Sequence, residues 1–190
     1  MALAKSRFSN QSGFSLAEVL VATGLLTAAL VSLAQLFAIA IQSNTSARTS
    51  TYASVLAQQK LEQLRALAWG FDEVGLPVSD MSTNTGVSPE QPFGGTGLSP
   101  SPSDSLLTNV DGWVDFVDAE GNIVGGNGEG QNNGMYFRRW SVEPLPTNPN
   151  NTLILQVVVG RIRDRGNAEG THNRVRDEAR LMTVKTRKSR

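Results

Sequence analysis

The chain has 190 residues, with 17 Lys and Arg, 17 Asp and Glu, and no cysteine. That length holds roughly one domain, and the absence of thiols excludes a disulfide framework and a thiolate metal site. The formal net charge is zero but unevenly placed: ten basic against four acidic residues lie between Arg161 and Arg190, whereas Gly70 to Gly160 is acidic on balance. A basic tail attracts nucleic acid or an anionic surface, or complements an acidic neighbour. The acidic middle of the same fold supplies such a neighbour, and nucleic acid is not expected as a partner.

A short leader carrying Lys5 and Arg7 precedes Gly13-Phe14-Ser15-Leu16-Ala17-Glu18, and no further charge occurs through Ala47. An ionised side chain in or beside hydrocarbon costs at least ~2.5 kcal/mol, so Glu18 reads as functional. The apolar run Val19 to Ile41 is about 23 residues, which at ~1.5 Å per residue spans a bilayer core. It exceeds the ~7 to 15 residues of a secretory h-region, and the helical pattern continues through Gln58. The segment is therefore expected to remain as an anchor. Lys5 and Arg7 leave the amino terminus in the cytoplasm and send the carboxyl-terminal body across.

Ser43 to Ser54 is rich in Ser and Thr and is a poor helix by propensity. Beyond it, Ala53, Ala57, Leu61, Leu64 and Ala68 recur at helical spacing with Leu56 and Leu67 beside them, and Gln58, Gln59, Glu62, Gln63 and Arg65 occupy the other face. This is an amphipathic helix packing on a sheet, ended by Gly70 and Pro77. The Pro-, Gly- and Ser-rich stretch 79–105 reads as a mobile loop. Strands are expected at Trp113 to Val117, Asn122 to Val124, Met135 to Val142, Leu153 to Ile162 and Ala179 to Thr186. In the fourth, Leu153, Leu155, Val157 and Val159 share one face and Ile154 and Val158 the other, which suits an inner strand under the helix. The fold class expected is α+β: a long amino-terminal helix, with an apolar half over 14–42 and an amphipathic half over 43–69. It packs on an antiparallel sheet of four to five strands within a body spanning 70–190.

Other candidate sites are weaker. Asp111, Asp115, Asp118, Glu120 and Asn122 offer hard oxygen ligands for calcium, yet the run lacks the glycine and terminal glutamate of an EF-hand, and a hairpin turn explains it more simply. His172 stands alone in a charged loop, no elbow motif marks a nucleophilic serine, and Gly125 to Gly130 lacks the Lys-Ser or Lys-Thr of a phosphate loop. No enzymatic reaction, cofactor or metal is expected. Arg161, Arg163, Arg165, Arg174 and Arg176 offer phosphate contacts or a subunit interface.

The segment Gly13-Phe14-Ser15-Leu16-Ala17-Glu18-Val19-Leu20-Val21-Ala22 resembles the processing and methylation motif of type IV prepilins and type II secretion pseudopilins. Leu56-Ala57-Gln58-Gln59-Lys60-Leu61-Glu62-Gln63-Leu64-Arg65 is similar to the helix continuation of minor pilins of the V type and of I-type minor pseudopilins. The resemblance implies a pilin-like fold and a structural assembly subunit of a type IV pilus or type II secretion system. Its implied partners are prepilin peptidase, other pilin or pseudopilin subunits and an inner-membrane assembly platform. It implies a leader over 1–13 cleaved between Gly13 and Phe14, N-methylation of Phe14, and a charge pair between Glu18 and the terminal amine of an adjacent subunit. It places the body in the periplasm, and in the pilus or pseudopilus after assembly. An anchored extracytoplasmic protein that binds a ligand, calcium or DNA is the alternative.

Overall fold

A single helix, α1 (Leu16–Ala66), carries 51 residues. The computed structural model describes residues 13–85, 95–126, 134–162 and 178–187, and the chain divides into two units, Met1–Thr45 and Ser46–Arg190.

In the first unit the helix begins at Ser15, whose hydroxyl and carbonyl accept from the Glu18 N–H at 3.2 and 3.1 Å. Ser15 is thus the N-cap, satisfying one of the free donors of the first turn. Every large apolar side chain from Leu16 to Ile41 is exposed, and the stretch is long and apolar enough to cross a membrane. Its few hydroxyls turn inward on the helix: Thr23 donates to the carbonyls of Val19 and Leu20, Thr27 to Gly24 and Ser32 to Ala28, at 2.8–3.0 Å. Polar groups satisfied within their own helix are cheap to place in hydrocarbon.

In the second unit the remainder of α1 buries Thr49, Ala53, Leu56, Ala57, Lys60, Leu61 and Leu64, one stripe at helical spacing. Ser and Thr do not interrupt the helix, because Thr51 and Ser54 bond back to the carbonyls of Ala47 and Ser50 at 2.9 Å. The stripe packs on one face of an antiparallel sheet in the order β4-β3-β5-β6-β7. These strands are β3 (Val114–Val117), β4 (Ile123–Gly126), β5 (Tyr136–Pro144), β6 (Thr152–Arg161) and β7 (Ala179–Thr186). Leu153, Leu155, Val157 and Val159 of β6 join Trp140 and Val142 of β5 beneath Leu56, Leu61 and Leu64. Each such leucine contributes roughly 1.5–3 kcal/mol by leaving water. The opposite face gathers Val114, Phe116, Phe137 and Val158 under Leu106. Arg139 holds that cover by donating to Asn109 Oδ1 at 3.0 Å and to the carbonyls of Leu106 and Leu107. The expected α+β architecture is present, with the helix on one face of a five-stranded antiparallel sheet.

Some expectations change. The amphipathic helix ends at Ala66 rather than 69, and Ala68 is exposed outside it. Lys185 of β7 reaches the carbonyls of Leu64, Arg65 and Leu67, so a distant ammonium caps the helix end instead of Gly70. Gly70 and Pro77 belong instead to an unforeseen hairpin, β1 (Trp69–Phe71) with β2 (Pro77–Ser79). Its turn is closed by Asp72 Oδ1, which accepts from the N–H groups of Val74 and Leu76 at 3.0 and 2.7 Å, and by Gly75 at φ 88°. Gly125 and Gly126 lie within β4. Of the loop expected at 79–105, residues 80–85 and 95–105 are described; Thr85, Leu98 and Ser105 are buried, while residues 81–84 and 102–104 are exposed. Backbone bonds run from Gly95 to Ser82, Gly97 to Thr83 and Leu98 to Asp80, at 2.6–3.0 Å. Residues 86–94 lie outside the described residues.

Candidate functional site

The amino-terminal motif is laid out by the helix start. Gly13, Phe14 and Ser15 precede the first helical residue, Phe14 is 83% exposed, and among the described residues no heavy atom beyond its chain neighbours lies within 4 Å of the place a Gly13 side chain would occupy. Glu18 falls in the first turn of α1, where the helix macrodipole favours an anion. Its carboxylate has no ion-pair partner among the described residues, although it heads an exposed apolar surface. The leader residues 1–12, with Lys5 and Arg7, lie outside the described residues.

The candidate calcium run is taken apart by the fold. Asp118 is spent on the β3–β4 turn: Oδ1 accepts from the N–H groups of Glu120 and Asn122 at 3.0 and 2.8 Å, and Oδ2 from the Asn122 side chain at 3.0 Å. These bonds, the Asn122 side chain foremost, hold its carboxyl below the usual range. Gly121 at φ 93° completes the turn. Asp115 lies within β3 and is fully buried. No group of three metal-ligating side chains forms among the described residues.

What Asp115 meets is a buried charge cluster that sequence reasoning missed. It sits opposite Arg138 in the β3–β5 register, and the guanidinium donates through Nε at 2.7 Å and Nη2 at 2.8 Å to its two oxygens. Lys60 reaches in from α1 with Nζ 2.8 Å from Asp115 Oδ2 and 3.8 Å from the Trp140 ring centroid. The ammonium also donates to Gln63 Oε1 at 3.3 Å and to the Thr85 carbonyl, while Arg138 Nη1 donates to Gln59 Oε1 at 3.2 Å. Lys60 and Asp115 are 0% exposed and Arg138 2%. Burial pushes the Lys60 amine down to about 8, and neighbouring Arg138 pushes the same way while Asp115 opposes both. One signal lay in the sequence: Lys60 falls between Ala57 and Leu64 on the apolar stripe, where a charge needs a partner.

Comparison with family models, curated proteins and solved structures gives no significant match.

Among the described residues of the basic carboxyl-terminal region, Lys185 and Arg187 engage carbonyl oxygens. Besides Lys185 on the helix end, Arg187 donates to the carbonyls of Asn150, Gly70 and Val78 at 2.6–3.2 Å and stacks 3.8 Å from the Trp69 ring centroid. It ties the β1–β2 hairpin to the domain through carbonyl oxygens. Arg161 ends β6 and is half-buried. Arg163, Arg165, Arg174, Arg176 and His172 lie outside the described residues.

Proposed function

We propose that the chain is a minor pilin or pseudopilin, a structural subunit of a type IV pilus or type II secretion system. It is anchored by the apolar half of α1 and processed by prepilin peptidase between Gly13 and Phe14. The observation that carries this reading is the apolar surface of α1, exposed from Leu16 to Ile41 and headed by a single carboxylate at Glu18. Such a surface requires a cover, and lipid first and neighbouring helices later supply it.

Cleavage after Gly13 creates an α-amine on Phe14, cationic near neutral pH, which N-methylation leaves basic. An amine and a carboxylate at 4 Å attract by ~4 kcal/mol at an effective dielectric of 20, before desolvation is subtracted. Left unpaired among packed helices, Glu18 carries an uncompensated charge, so wrong stagger is penalised and the pair sets register. Lys5 and Arg7 orient the anchor with the body outside the cytoplasm.

Mass spectrometry of the mature chain tests the reading. The expected amino terminus is N-methylated Phe14; a mature chain starting at any other residue overturns the assignment.

A further inference from the structure

Lys60 joins three parts of the second unit. Its ammonium has three hydrogens and three acceptors: Asp115 Oδ2 on β3, Gln63 Oε1 on α1, and the carbonyl of Thr85 in the segment following β2. Among the described residues the charged groups facing it are Asp115 and Arg138, from β3 and β5. Its own helix supplies the neutral Gln59 and Gln63, and the Asp80–Thr85 segment supplies only a carbonyl. Two buried cations therefore share one carboxylate. Arg138 already serves both carboxylate oxygens and cannot give up its proton, so the surplus charge resides on Lys60.

We propose that Lys60 is a proton-linked latch, whose ammonium holds the Asp80–Thr85 segment against α1 and the sheet and whose deprotonation loosens that segment. A neutral amine has two N–H donors for the same three acceptors. The bonds that survive lose charge assistance and about half their strength. Asp115 retains both Arg138 bonds, and Gln63 is only part-buried and can turn to water. Thr85 is fully buried, so its carbonyl finds a substitute donor only if the segment moves. The amine pushed down to about 8 by burial brings this event within reach of mildly alkaline solution. The segment is also held by the Gly95, Gly97 and Leu98 N–H groups, which donate to the carbonyls of Ser82, Thr83 and Asp80 at 2.6–3.0 Å, by the Asp80 N–H on the Ala68 carbonyl at 2.9 Å, and by the Thr85 and Thr96 hydroxyls at 3.3 Å.

The test uses the full chain in detergent micelles, following Lys60 13Cε and Thr85 carbonyl 13C shifts by NMR from pH 7 to 10. Hydrogen exchange at the Gly97 and Leu98 amides is measured in parallel as a protection factor, which removes the intrinsic pH dependence. The latch predicts that both carbon shifts move together with a midpoint about 8. Protection at Gly97 and Leu98 falls about fivefold across the same step, the loss of charge assistance in one hydrogen bond. In Lys60→Arg, which stays charged throughout, the step is absent. Lys60→Met should likewise show no step, and if it does not fold, the wild type and Lys60→Arg decide the matter. A Lys60 that keeps its proton to pH 10 overturns the proposal. So does a titrating Lys60 that leaves Thr85, Gly97 and Leu98 unmoved, or a step that persists in Lys60→Arg.

Discussion

Arg138 and Asp115 stand directly opposite one another on β5 and β3 and share two hydrogen bonds of 2.7 and 2.8 Å, both side chains sealed beneath α1. The side-on geometry satisfies both carboxylate oxygens at once, which offsets much of the cost of drying the pair. Lys60 adds a second cation, and that makes the cluster a demanding element of the core.

Removing the shared anion leaves two buried cations facing each other. Asp115→Ala is expected to lose about 3–5 kcal/mol of stability, read as the urea midpoint by Trp fluorescence. The triple change Lys60→Met, Asp115→Leu, Arg138→Met removes every buried charge and should recover most of that loss or exceed the wild type. A triple variant as unstable as Asp115→Ala would show that packing, not charge, governs the site.

The pH dependence of stability follows from Lys60. Its folded value of about 8 lies below the 10.5 of a free lysine, so between those limits the unfolded chain binds more protons. This contribution to stability therefore rises with pH across that window, while the Thr85 contact weakens. Urea midpoints at pH 7.5 and 10 should show the rise in the wild type and a flatter response in Lys60→Met. Global stability and local protection at Gly97 then move in opposite directions.

Gly160 is required by Phe137. A methyl group at Gly160 would lie 2.8 and 2.9 Å from two carbons of the Phe137 ring, which is itself 2% exposed and cannot swing into solvent. Gly160→Ala should cost about 1–3 kcal/mol by overpacking. Phe137→Leu in the same chain should cost less than the sum of the two single changes, because the smaller side chain makes room. Thermal unfolding of the four chains of this cycle checks the coupling.

Glu18→Ala should leave insertion and the Phe14 terminus intact while sharply reducing incorporation into pili or pseudopili. Fractionation followed by immunoblotting of membrane and sheared filament separates the two effects. Unchanged incorporation removes the register role from Glu18.

The fold is most legible in the sequence where local periodicity and burial agree. β6 alternates Leu153, Leu155, Val157 and Val159 against Ile154 and Val158, and the two sets separate onto opposite faces of the sheet, Val158 in the second core. β7 occupies the expected Ala179–Thr186. The β1–β2 hairpin is not legible in the sequence, because three-residue strands carry almost no periodic signal, and Arg187, more than 100 residues away, supplies its hold. The helix end is not legible for a related reason: Lys185 satisfies the last carbonyls from another strand, so no local stop residue is needed.

Two determinants can be separated. The sequence by itself determined the long helix, its apolar and amphipathic halves, the strand-rich body and the Gly13-Phe14-Glu18 motif, because each depends on residues close along the chain. Tertiary structure alone decided the partners of Asp115, Lys60, Lys185 and Arg187. A buried charge takes its meaning from whatever the fold brings within about 3 Å of it, and those groups lie far apart in the chain.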